Sequence, residues 1–209
     1  RVDTVGEGGK GRMEGPGCGA VVVNAGQAGY YRTLYGDAQF AALGKEFARL
    51  DPIDQLGVMN DTWALGLAGL RPASDYLDLA RQVPADADPA IWADIAGSLS
   101  GIDSYLKGND AAQKRFQAYA RGVLQPVFAK IGWNAKADHS APVQLLRTTL
   151  IGTLAGLEDE AVIAEARRRF AAGPDDASAM PPVLRSLITG IFANKADAAT
   201  WDKLHAMAR

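Results

Sequence analysis

The chain has 209 residues, 48% of them hydrophobic, and a formal charge of −2. That is enough apolar content for a substantial core and too little charge for a broad field toward nucleic acid or an anionic membrane surface. No run of about 18 apolar residues is present to span a bilayer, and the single cysteine, Cys18, leaves no intrachain disulfide and no cysteine-based zinc site.

Lone cysteine usage fits a reducing, cytoplasmic setting, and a chain opening on Arg1 without an apolar leader reads as a piece excised from a longer protein. Residues 1–20 are glycine-rich and hold little that could be buried, as in a flexible linker or the end of a preceding domain. Gly6, Gly8 and Gly11 fall at Gly-x-Gly-x-x-Gly spacing but no adequate strand precedes them, and the Gly-x-x-x-x-Gly-Lys-Ser/Thr spacing is not met, so no phosphate loop is read there. Val21, Val22 and Val23 are β-branched and favour an extended backbone, and Asn24, Gly26 and Gly29 permit the tight turns that follow. From Tyr30 to Tyr35 the side chains alternate, with Tyr31, Thr33 and Tyr35 on one face and Tyr30, Arg32 and Leu34 on the other. A short β segment is therefore expected over residues 21–35.

Beyond Gly36 the period becomes helical. Phe40, Leu43, Phe47 and Leu50 mark a first helix, and Asp51-Pro52 supplies an N-cap and first-turn proline for a second carrying Leu56, Met59, Trp63, Leu67 and Leu70. A shorter helix holds Tyr76, Leu77 and Leu79. After the break at residues 84–89, Ile91, Ile95, Leu99, Ile102 and Leu106 define a fourth. Phe116, Tyr119, Val123, Val127 and Ile131 define a fifth, which Pro126 should kink. Four more are expected over residues 140–157, 158–172, 182–193 and 198–208. In the seventh, Glu158, Asp159 and Glu160 open the first turn and Arg167, Arg168 and Arg169 approach the last, an arrangement that suits the helix dipole and reads as a solvated terminus.

Successive helices joined by short loops admit a compact bundle or a stack of helix pairs, and periodicity alone does not choose between them. The residues also offer little chemistry. His139 and His205 are far apart and outside any His-Glu-x-x-His pattern, and no Ser/His/Asp constellation can be picked out. No catalytic or metal-ligating residue is assigned. One position stands out: Val143, Leu146, Leu150, Leu154 and Leu157 trace an apolar arc at about 100° per residue, and Arg147 falls inside it. A guanidinium there needs an anionic or carbonyl partner, either a carboxylate on a neighbouring helix or a ligand.

The stretch from Val23 to Tyr35, with its Gly-x-x-Gly-Tyr-Tyr-Arg core, resembles the joint that opens the C-terminal helical domain of zinc aminopeptidases of the aminopeptidase N and puromycin-sensitive aminopeptidase family. Asn60-Asp61 followed by an alanine-rich helix with Ala68-Gly69, then Ile131-Gly132-Trp133, then the run from Asp138 through His139 to Arg147, are similar to later pieces of the same pattern, in the same order. The resemblance covers nearly everything from Val21 onward and leaves residues 1–20 outside. It implies an all-α domain over residues 21–209, a curved right-handed array of antiparallel helix pairs (a HEAT- or ARM-like α-solenoid), with a β hinge at 21–35. It further implies a domain that closes the substrate chamber and controls peptide access, with no catalytic residues of its own and inactive alone.

In that setting zinc belongs to a catalytic domain outside this chain. The partners would be that domain, a β-sandwich domain of the same protein, and the peptide substrate. Arg147 becomes a candidate receiver for a peptide's C-terminal carboxylate. The competing expectation is a free-standing HEAT-like scaffold that binds a protein on its concave face.

Overall fold

The computed structural model describes residues 19–173, 176, 178–194 and 196–207. Cys18, most of the expected 1–20 linker and the last residue of the ninth expected helix lie outside the described residues. The described residues form nine α-helices and no strand: α1 (Asp37–Glu46), α2 (Pro52–Leu67), α3 (Ala73–Ala80), α4 (Pro89–Tyr105), α5 (Asp110–Ile131), α6 (Ala141–Gly156), α7 (Glu160–Ala172), α8 (Pro182–Ala193) and α9 (Ala198–Met207). The chain divides into two compact units, Arg1–Arg71 and Pro72–Arg209.

In the first unit the β segment expected over residues 21–35 is replaced by irregular backbone with a short 3₁₀ turn at Ala25–Gln27. The reason is where its backbone hydrogen bonds go. A strand needs a neighbouring strand for its N–H and C=O groups, whereas here side chains take several of them. Asn24 closes the turn on itself: its Oδ1 accepts from Gly29 N at 2.8 Å and its Nδ2 donates to Gly29 O at 2.9 Å. A Cβ at Gly29 would strike the Tyr31 ring where it stands and come within 3.0 Å of Asn24 Oδ1, so the absence of a side chain lets the turn close tightly.

Two carboxylates on α2, two turns apart on one face, hold the rest. Asp54 Oδ1 accepts from Gly26 N at 2.7 Å. Asp61 accepts from Thr33 N at 2.9 Å through Oδ2 and from Arg32 Nη1 at 3.1 Å through Oδ1. Both aspartates are buried. The apolar stripe read for α2 is accordingly rotated: Val58, Met59 and Leu65 are buried, whereas Leu67 and Leu70 are about 60% exposed (61% and 59%). Arg71 closes the unit by donating to Tyr35 O at 2.8 Å and lying 3.9 Å over the Phe40 ring.

The second unit is organised on α6, which packs against α4, α5, α7 and α8. Ile91, Ile95 and Leu99 of α4, Leu124 of α5 and Leu150, Ile151 and Leu154 of α6 are almost fully buried. The helix starts follow the expected chemistry. Pro89 and Pro182 stand in first turns, and Asp88, Asn109 and Asp159 accept N-terminal backbone N–H groups of α4, α5 and α7. Helix α5 runs unbroken through Pro126 and ends at Gly132, whose φ of +68° suits a residue without a Cβ. Its buried face is Gln117, Ala120, Leu124, Val127 and Ile131 rather than the stripe beginning at Phe116, because Phe116 and Tyr119 are only half-buried and Tyr119 turns its hydroxyl out to the Leu77 carbonyl at 2.8 Å.

The arginine triplet of α7 corrects the reading of a wholly solvated terminus. Arg168 is exposed and makes a bidentate pair with Glu165 at 2.7 and 2.8 Å. Arg169 is 4% exposed. Its Nε donates to Glu165 Oε1 at 2.8 Å, its Nη1 to Ala179 O at 3.2 Å and its Nη2 to Asn134 Oδ1 at 2.9 Å, and the guanidinium lies 4.9 Å from the Trp133 ring centre. One side chain thus ties α7 to the segments that follow α5 and precede α8.

The same cluster gives Glu165 a pH signature. The hydrogen bond from Arg168 is the largest influence on its carboxyl, and with smaller help from Arg169 it outweighs the upward push of burial and holds the group down to about 2 from the ordinary 4.5. A carboxylate depressed in the folded state contributes stability that is present above its ordinary value and lost as pH falls toward about 2. Thermal melts between those limits should therefore decline more steeply for the wild-type chain than for Glu165→Gln. The side chain is a quarter exposed, so the difference should be small and shrink with added salt; parallel declines would remove Glu165 from the acid response.

Candidate functional site

Helix α6 begins after Ser140, with Ala141 and Pro142 in its first turn. That start phases the helix so that Leu146, Leu150, Ile151 and Leu154 face the core, with Leu157 buried just past its end. Arg147 shares this face and is 3% exposed, as the sequence period requires, while Val143 is half-buried. Desolvation pushes the guanidinium's pKa below its ordinary value, yet the group remains charged at any physiological pH.

A buried cation of this kind ordinarily meets a carboxylate. Among the described residues Arg147 makes no ion pair. Its Nη2 contacts Nδ1 of His139, in the connection before α6, and its Nε has no hydrogen-bond partner. Arginine can only donate, so His139 Nδ1 stands on the acceptor side of this contact. The loop is pinned on both sides, by His139 N donating to Lys136 O at 3.1 Å and by Gln144 Nε2 donating to His139 O at 3.1 Å.

The chemical capacity of the site follows from guanidinium geometry. The Nε–H and one Nη2–H lie parallel along one edge, spaced to match the two oxygens of a carboxylate. Among the described residues that edge carries one unpaired donor and one donor held by a ring nitrogen. A carboxylate displacing His139 would satisfy both, exchanging one contact with a ring nitrogen for two with a charged acceptor.

His139, which the sequence assigned to no zinc motif, is thus Arg147's partner. The link across eight positions, from loop to helix, leaves no periodic signal. His205 is exposed on α9, and the two histidines belong to separate places in the structure. Among the described residues no group of three or more His, Cys, Asp or Glu side chains could hold a metal ion, so the residues present do not fit a zinc site and no zinc-dependent step is derived from them. Among the same residues no helix is long and apolar enough to cross a membrane.

Comparison with known proteins gives a family match over residues 20–209, to the model described as ERAP1-like C-terminal domain. The chain is 30% identical over 189 residues to Aminopeptidase 2 of Candida albicans, covering 88% of this chain and 20% of that protein. It is 28% identical over 195 residues to Aminopeptidase M1 of Arabidopsis thaliana, covering 90% and 22%, respectively. Against Glutamyl aminopeptidase of Bitis rhinoceros it is 28% identical over 152 residues, or 71% of this chain and 16% of that protein. The chain therefore spans about a fifth of the length of these curated relatives.

Proposed function

Because this chain belongs to the ERAP1-like C-terminal domain family, we propose that it serves as the C-terminal helical domain of a zinc-dependent aminopeptidase that removes N-terminal residues from peptides. Its helix pairs form a curved HEAT-like array that closes the substrate chamber and limits which peptides enter. Zinc, and the residues that ligate it, belong to the part of the protein outside this chain, and would supply the activated water that attacks the peptide bond. Residues 21–35, with Tyr30 fully exposed and Val21, Tyr31 and Leu34 more than half exposed, adjoin the preceding β-sandwich domain. The relatives' names and the small share of their length that this chain covers support the reading.

Within that function Arg147 receives the C-terminal carboxylate of the peptide. The observation that carries this is a buried guanidinium that has, among the described residues, an unpaired Nε and no carboxylate partner. Binding far from the scissile bond positions longer substrates while leaving the chemistry untouched, so the contribution belongs in KM. In the enzyme carrying this domain, Arg147→Ala should raise KM roughly tenfold for peptides long enough to reach the site, the worth of one charge-assisted contact of about 1.4 kcal/mol. Dipeptide-like substrates should be unaffected. An equal change for short and long substrates would defeat the assignment.

A further inference from the structure

We propose that a second polar groove in the Pro72–Arg209 unit, whose lining does not include Arg147, binds a cationic group of the alkylguanidinium or alkylammonium class. The groove has a volume of about 740 Å³ and lies between the end of α4, one side of α5 and the turn from α6 to α7. Asp103 comes from α4, Gln113, Gln117 and Arg121 from α5, and Glu158 and Glu160 from the turn and the start of α7.

Two of these side chains, Asp103 and Gln117, are more than nine-tenths buried. Asp103 is 8% exposed; its Oδ2 accepts from Gln113 Nε2 at 3.1 Å, and its Oδ1 has no partner. Gln117 is 7% exposed, and its amide makes no hydrogen bond among the described residues. Native interiors seldom leave a buried carboxylate oxygen unsatisfied, and Asp103 is a residue of this groove's lining. A buried carboxylate with an open oxygen selects against anions and for a donor-rich cation.

The basic residues of the groove do not remove that preference. Arg121 is engaged, donating to Leu157 O at 2.5 Å. Lys107 and Lys114 are exposed at the rim, where Asp110, Glu158 and Glu160 also stand, so carboxylates outnumber basic groups along the lining. A metal ion is the weaker occupant, because no group of three or more ligating side chains is assembled among the described residues. A guanidinium that displaces the Gln113 amide would present two parallel N–H groups to Asp103 and a third to the Gln117 carbonyl. The occupant could be an arginine or lysine side chain of a peptide, or a free polyamine. Neither is a ligand for Arg147, so the two sites stand or fall separately.

The test is calorimetric titration of the 209-residue chain with N-acetylarginine amide, its neutral citrulline counterpart and spermidine. Saturable binding of the arginine probe is expected, with citrulline weaker by about tenfold or more, as expected for a charge-assisted contact. Asp103→Asn should lower affinity about tenfold while leaving the fold intact, since it removes a buried charge. Gln117→Leu provides a second variant that should also weaken binding without touching Asp103. Tighter binding of spermidine than of blocked arginine would support the site and identify a free amine as its ligand; the reverse order would support it and identify a basic side chain. Equal binding of arginine and citrulline, no saturable binding of either cation, or unchanged affinity in folded Asp103→Asn would overturn the proposal.

Discussion

Replacing Arg169 by methionine should lower the melting temperature of the chain by roughly 6–12 °C, from a loss of about 3 kcal/mol at 2–4 °C per kcal/mol for a chain of this size. The figure follows from what the guanidinium holds. Its three donors leave Glu165 Oε1, the Ala179 carbonyl and Asn134 Oδ1 short of a partner when removed, and the contact with Trp133 goes with them. Glu165 retains Arg168, which keeps the cost toward the lower end of what breaking a buried pair entails. Arg169→Lys should fall between wild type and methionine, because an ammonium keeps the charge but cannot serve three directions in one plane. Circular dichroism melts decide it: a shift for Arg169→Met below about 2 °C would mean that the cluster adds no more than an ordinary surface pair.

Asp61→Ala should release the segment that precedes α1 while leaving the helices of the second unit intact. Asp61 is 5% exposed and receives both Thr33 N and Arg32 Nη1. Its loss leaves a backbone donor and a guanidinium without their acceptor at a cost of about 2–3 kcal/mol, and the segment has no strand ladder to fall back on. Trypsin should then cleave after Arg32 many times faster than in wild type, and amides at Gly29 and Thr33 should exchange early. Asp61→Asn should show a partial effect, since an amide oxygen can still accept from Thr33 N but carries no charge for Arg32. Unchanged cleavage at Arg32 in Asp61→Ala would show that Asn24 and Asp54 alone hold the turn.

Helix positions were legible in the sequence because their signals are local. A proline in the first turn opens α2 and α4, joined in α4 by the Asp88 side-chain cap, and Gly132 ends α5 where the periodic apolar residues stop. Other features depended on partners that no local pattern names. Asp54 and Asp61 lie at helical spacing, but charged residues read as solvent-facing until the backbone donors of Gly26 and Thr33 are brought against them. The valines and tyrosines of residues 21–35 carry strand propensity, which decides nothing without a strand to pair with. In α5 the eye follows Phe116 and Tyr119, whereas the buried positions are Gln117 and Ala120, where a polar amide and a small side chain carry little hydrophobic signal. Arg169 was hidden by its neighbours: three successive arginines look alike in sequence, and only the approach of Trp133, Asn134 and Ala179 separates the third.

The site divides the same way. The burial of Arg147 followed from its place in the period of α6, and the structure puts it on the buried face. Its contact with His139 and its unpaired Nε required coordinates. The motif pieces Asn60-Asp61 and Gly132-Trp133, first noticed as resemblance, acquire physical roles in the structure. Asp61 anchors the opening segment, Gly132 ends α5, and Trp133 packs its ring edge against Phe128 at 6.1 Å while facing Arg169.

The most direct measurement is the affinity of the chain for one peptide prepared with a free C-terminal carboxylate and with a C-terminal amide. If Arg147 receives that carboxylate, the free acid should bind about tenfold more tightly, and Arg147→Met should abolish the difference. Equal affinity for the two peptides, or a preference that survives Arg147→Met, would contradict a peptide-receiving role for this domain's buried arginine.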